Sequence, residues 1–123
     1  MDEKSQDKWC AFEKGETLGK SGSECGIIIW DEEHPDGARM TIESNGHVAP
    51  FSITLGIYGW IFYNVFFNTL EETRDTFQRM KPEIEGILEL TKQDMPEATK
   101  KRNVDAAIKE LIKRYPTRPE TSL

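Results

Sequence analysis

The densest group of side chains able to hold a metal or move a proton is the run Asp31-Glu32-Glu33-His34-Pro35-Asp36. Such carboxylates suit a hard cation, yet the ligand spacing of a calcium loop and its closing glutamate are missing. The second histidine, His47, lies beyond the following strand, roughly 23 Å from His34 along an extended chain. One protomer therefore cannot bring both imidazoles into one site. The run reads instead as a solvated hairpin tip. On that reading Asp31, Glu32, Glu33 and Asp36 form an acidic surface suited to a basic protein partner. No metal ligand and no cofactor is assigned.

Two further patterns invite chemistry and lack its context. Cys25 needs a base beside it to act as a nucleophile, and His47, which closes the neighbouring hairpin, is the candidate. No motif joins the two, so Cys25 reads as a buried, inert thiol. The segment Gly15–Ser21 (GETLGKS) is one residue short of a phosphate-binding loop. It also follows a polar arm where that loop follows an apolar strand. Serine, histidine and aspartate show no nucleophile-elbow pattern. These readings point away from an enzyme.

The elements that would position these groups are organised around Phe51–Phe67, 17 residues without a charge. A membrane helix needs about 20 mostly apolar residues and a basic flank. This stretch contains Ser52, Thr54, Asn64 and two glycines, and His47, Pro50, Asn68 and Thr69 surround it. Its β-branched and aromatic residues favour strands, read here as a pair turning at Tyr58-Gly59. Cys25–Glu32 and Ala38–Ser44 form a preceding hairpin around His34-Pro35-Asp36-Gly37, with Glu32 opposite Arg39 and Ile29 beside Ile42. Asn45-Gly46 predicts a two-residue turn, which sets Met40 opposite Phe51 and Ile42 opposite Ala49. Pairing through Tyr58-Gly59 sets Ile57 opposite Trp60, Leu55 opposite Phe62 and Ile53 opposite Asn64.

In that register Met40, Ile42, Ile53, Leu55, Trp60 and Phe62 share the core face, with Asn64 as its one polar member. The opposite face presents Ile28, Trp30, Ile61, Tyr63 and Val65, an apolar set that needs the N-terminal arm, a second copy or another partner to cover it. The lid follows. Thr69 and Glu72 make a capping box, and Phe77, Met80, Ile84, Ile87 and Leu88 recur at helical spacing, with a kink expected at Pro82. A second helix starts near Met95-Pro96, carries Val104, Ile108, Leu111 and Tyr115, and stops at Pro116.

The expected fold is α+β: a four-stranded antiparallel β-meander followed by two α-helices packed on one face. Residues 1–24 form an irregular arm, 25–116 the single domain and 117–123 a tail. The net charge of −6 argues against nucleic acid and anionic membranes as partners. Two cysteines are too few for a disulfide framework, and the polar N-terminus lacks a secretory pattern, so the expected location is cytoplasmic. The functional expectation is a small protein-interaction domain of inhibitor, immunity or regulatory type, homodimeric, with a basic protein as the further partner. The rival is a small-ligand or enzymatic site between sheet and helices near Asn64 and Trp60.

Overall fold

The computed structural model describes residues 8–118. It has an α+β architecture: one antiparallel sheet followed in the chain by two helices. The strands are β1 (Cys10–Ala11), β2 (Ile27–His34), β3 (Ala38–Ser44), β4 (Phe51–Ile57) and β5 (Ile61–Phe67), and they lie side by side in chain order. The helices are α1 (Leu70–Thr91) and α2 (Glu97–Arg114). The sheet thus has five strands where four were expected. The addition comes from the arm, whose Cys10 and Ala11 pair with Glu33 and Glu32 of β2.

The central hairpin uses a wider loop than its Asn-Gly pair predicts. Residues 45–50 all lie in the connection, and the register is Ala38–Ile57, Met40–Leu55, Ile42–Ile53 and Ser44–Phe51. Pro50 has no N–H to give the ladder, so it belongs in the loop. The pairing moves by four residues from the expected one. An even shift leaves every side chain on its expected face, and it gains three aliphatic pairs.

The last hairpin departs by an odd step. Tyr58, Gly59 and Trp60 all occupy the turn, with Gly59 at φ +86°, so Ile57 pairs with Ile61, Leu55 with Tyr63 and Ile53 with Val65. One residue of slip reverses every side chain of β5. Tyr63, Val65 and Phe67 therefore lie on the helix side, and Phe62, Asn64 and Phe66 on the outer side. Strand β2 is corrected by a different device. A register shift between Ile28 and Trp30 places Ile28 opposite Glu43 on the outer face, but Trp30, Glu32 and His34 opposite Ile42, Met40 and Ala38 on the helix face. Glu33, not Glu32, pairs with Arg39.

Helix α1 begins at its expected cap, with the Thr69 hydroxyl accepting the Glu72 N–H at 3.2 Å. It then runs unbroken through Pro82. Its apolar stripe of Phe77, Met80, Ile84, Ile87 and Leu88 is buried against β3, β4 and β5, while α2 packs mainly on α1 through Val104, Ile108 and Leu111. No helix among the described residues is long and apolar enough to cross a membrane.

The register makes a testable distinction. Leu55→Ala, at a site with no exposure, should cost about 2–5 kcal/mol in urea unfolding of a dilute sample. Phe62→Ala should cost no more than about 0.5 kcal/mol, whereas a core-facing Phe62 would cost about 3–5 kcal/mol.

Candidate functional site

The outer face of the sheet carries a broad, open concavity. Three cross-strand rows run across this face: Arg39–Gly56–Phe62, Thr41–Thr54–Asn64 and Glu43–Ser52–Phe66. Strand β2 adds Asp31 beside Thr41 and Ile28 beside Glu43. The N-terminal arm folds back over the β2–β3 side of this face, and the side chain of its Glu24 reaches across to Asn64 of β5. A groove of about 730 Å³ remains between Ser21–Ser23 of the arm and the Tyr58–Phe62 hairpin. Phe62, 68% exposed, stands at its rim with Tyr58 and Trp60.

Two buried carboxylates fix the arm. Asp31 accepts bidentate hydrogen bonds from Arg39, at 2.9 Å from Nε and 2.7 Å from Nη2. The Thr17 and Thr41 hydroxyls donate to the same carboxylate at 2.7 and 3.0 Å. Its hydrogen bond to Asp31 raises the Arg39 guanidinium above its ordinary value, and the Phe12 ring of the arm stacks 3.7 Å from that guanidinium. Glu43, 1% exposed, accepts the backbone N–H groups of Glu24 and Gly26 at 3.0–3.2 Å. Gly22 lies so close above it that an added β-carbon would overlap the carboxylate. A neighbouring loop therefore wraps Glu43, which leaves the groove polar on its floor and aromatic on its rim.

The acidic hairpin end is largely engaged within the fold. Asp31 lies under Arg39 on the outer face; Glu32 pairs with the buried Lys81 at 2.7 Å on the opposite face. Glu33 accepts the Tyr58 hydroxyl at 2.9 Å, and Asp36 pairs with Lys92 at 3.0 Å. His34 is buried against Trp9, accepts the Asp36 N–H on Nδ1 at 3.1 Å, and sets Nε2 3.5 Å from Glu85. Among the described residues no group of three or more His, Cys, Asp or Glu is arranged to hold a metal ion.

The apolar set expected on the outer face is redistributed. Ile28 faces outward but is buried beneath the arm, whose Lys20 carbonyl accepts the Ile28 N–H at 2.8 Å. Trp30 lies on the helix side at the β2 edge because of the register shift. Ile61, Tyr63 and Val65 turn inward with the reversed β5, Val65 being 1% exposed. Asn64, expected on the core face, lies outside: it accepts the Thr54 hydroxyl at 2.9 Å and donates to Glu24 at 3.1 Å. Asn64 therefore does not face the space between sheet and helices. Trp60 packs half-buried at the hairpin end.

The remaining motifs serve the arm. In Gly15–Ser21 the Gly19 N–H donates to the Ile28 carbonyl, and Lys20 N–H to Thr17, so these donors already have partners. Cys10 and Cys25 are free and exposed, which corrects the buried reading of Cys25; that residue occupies a left-handed turn at φ +66°. His47 donates its N–H to the Glu24 carbonyl, but no hydrogen bond joins it to Cys25. The spacing of Asp31, Arg39 and Thr41 on paired strands carried the signal for the outer-face cluster. An alternation of Arg39, Thr41 and Glu43 opposite Met40 and Ile42 was visible, but the partner from the arm was not. Comparison of the chain with protein-family models, curated proteins and solved structures finds no match.

Asp31→Asn should cost about 3 kcal/mol in chemical denaturation, the low end for a broken buried pair because Arg39 retains one-third exposure. Glu43→Ala should speed amide exchange at Glu24 and Gly26 by roughly tenfold or more, since both N–H groups lose a charged acceptor. Partial burial and its bond to Glu33 push Tyr58 up to about 12. A raised phenol value stabilises the fold below the unfolded value near 10 and loses that contribution as pH climbs from about 10 to 12. Tyr115, bonded to Glu83, is raised as well, so absorbance titration should show late phenolates of which Tyr58→Phe removes the one near pH 12.

Proposed function

We propose that this chain acts by binding, as a protein-interaction domain of inhibitor, immunity or regulatory type, and that its first partner is a second copy of itself. The observation that carries this reading is the open edge of β5. The strand reads Ile-Phe-Tyr-Asn-Val-Phe-Phe, without a charge or a proline to discourage pairing. It ends the sheet, and no described strand lies beyond it. The Phe66 N–H reaches outward to the Thr117 carbonyl at 2.9 Å. Alternate residues turn their backbone groups to the same edge, so those of Phe62 and Asn64 point outward too. Antiparallel pairing of two such edges about a two-fold axis would satisfy them and cover both Phe62 rings.

The groove beside that edge supports the same reading. Its charged groups are already held, Arg39 by Asp31 and Glu43 by backbone N–H groups, which suits a preorganised recognition surface. The remaining acidic balance of −6 would favour the approach of a basic protein as the further partner. The two exposed thiols fit a reducing, cytoplasmic setting.

Sedimentation equilibrium over a concentration series tests the self-association. The chain should form a dimer, and Phe62→Lys should return it to a monomer while changing monomer stability by no more than about 0.5 kcal/mol. A wild-type monomer throughout, or a dimer that persists in Phe62→Lys, would overturn the edge-pairing reading.

A further inference from the structure

The register shift in β2 creates a second concavity on the opposite side of the sheet. A cleft of about 500 Å³ opens between the β2 edge and the first turns of α1, within the range of small-ligand sites. Ile29, Ile42, Leu70 and Phe77 give it apolar walls, and Trp30, Arg74 and Gln78 complete it. No acidic side chain is among its lining residues. Glu72, on the same first turn of α1, lines a separate cavity with Arg79 and Tyr115.

Two features make this cleft more than an uncovered apolar patch. The first is the fixing of Trp30. Its indole is 47% exposed, yet Nε1 donates to Glu32 Oε2 at 2.7 Å, while Glu32 Oε1 is held 2.7 Å from the buried Lys81 ammonium. An ion pair under the sheet thus holds a surface tryptophan in one orientation, so a ligand packing on it immobilises little further. The second is Arg74. Arg39, Arg79 and Arg114 each grip a carboxylate. Arg74 is exposed and has no hydrogen-bond or ion-pair partner among the described residues. It stands on the second turn of α1, just past Glu71 and Glu72 of the first turn.

We propose that this cleft binds a small amphipathic carboxylate, whose apolar body packs on Trp30 and Phe77 while its headgroup meets Arg74. The planar guanidinium fork matches a carboxylate bidentately, and the walls match an aliphatic or aromatic body. The site lies across the sheet from the groove and away from the β5 edge, so it stands independently of the dimer.

Octanoate titrated into the full chain, followed by nuclear magnetic resonance, tests the proposal, with octanamide as the uncharged control. Octanoate should shift the Trp30 indole N–H and the Ile42 methyl signals saturably. Arg74→Gln should weaken octanoate binding about tenfold, the worth of one charge-assisted hydrogen bond, and leave octanamide unchanged. Unfolding midpoints would confirm that this surface variant folds as the parent does. Absence of a saturable shift would overturn the proposal, as would equal affinity of the parent for octanoate and octanamide. Shifts confined to the outer groove would also overturn it. Shifts at Trp30 that follow protein concentration alone would assign the cleft to a second copy instead.

Discussion

The bidentate contact between Asp31 and Arg39 is the interaction on which the outer half of the molecule depends. The Asp31 side chain is fully shielded from solvent, and a carboxylate in that position is tolerable only when its oxygens are saturated. Arg39 and Thr41 come from the neighbouring strand, but the fourth donor, Thr17, comes from the arm. Burying the charge therefore requires the arm to lie across the sheet. That placement shields Ile28, sets the loop around Glu43 and leaves a groove between Ser21–Ser23 and the Tyr58–Phe62 hairpin. The sheet accordingly has an apolar helix face and a wired polar face, and among the described residues the β5 edge before the Phe66–Thr117 contact is the stretch left open.

The helix face contains its own exception. The register shift after Ile28 turns Trp30, Glu32 and His34 toward α1, where an ordinary antiparallel strand would place aliphatic residues. Lys81 and Glu85 answer them from successive turns of α1, and Trp9 of the arm packs against His34. A polar seam thus joins arm, sheet edge and helix beside the main core. The same seam holds Trp30 at the mouth of the cleft. One local irregularity in β2 therefore produces both the buried ion pair and the ordered surface indole.

Much of the architecture was legible because it rests on periodicity. The stripe from Phe77 to Leu88 and the Thr69–Glu72 cap locate α1 directly, and the alternation about Met40 and Ile42 locates β3. Turn lengths were not legible, and their consequences differ with parity. Around Asn45-Gly46 the chain inserts His47 to Pro50, but the four-residue displacement preserves the faces. At Tyr58-Gly59 the addition of Trp60 to the turn reverses β5, and with it the expected places of Ile61, Tyr63, Val65, Phe62 and Asn64. The sequence of β5 is apolar on both faces, so its pattern could not choose between the registers. The β2 shift was hidden for another reason: the partners of Glu32 and His34 lie some fifty residues along the chain, on α1.

The most direct measurement is residue-resolved amide exchange along β5 at low and high protein concentration. In dilute solution Tyr63 and Val65, which bond to β4, should be protected, while Phe62 and Asn64 exchange freely. At high concentration Phe62 and Asn64 should gain protection as a second strand pairs with them. Protection of Phe62 and Asn64 at every dilution would contradict an open edge, and free exchange at every concentration would contradict its use in self-association.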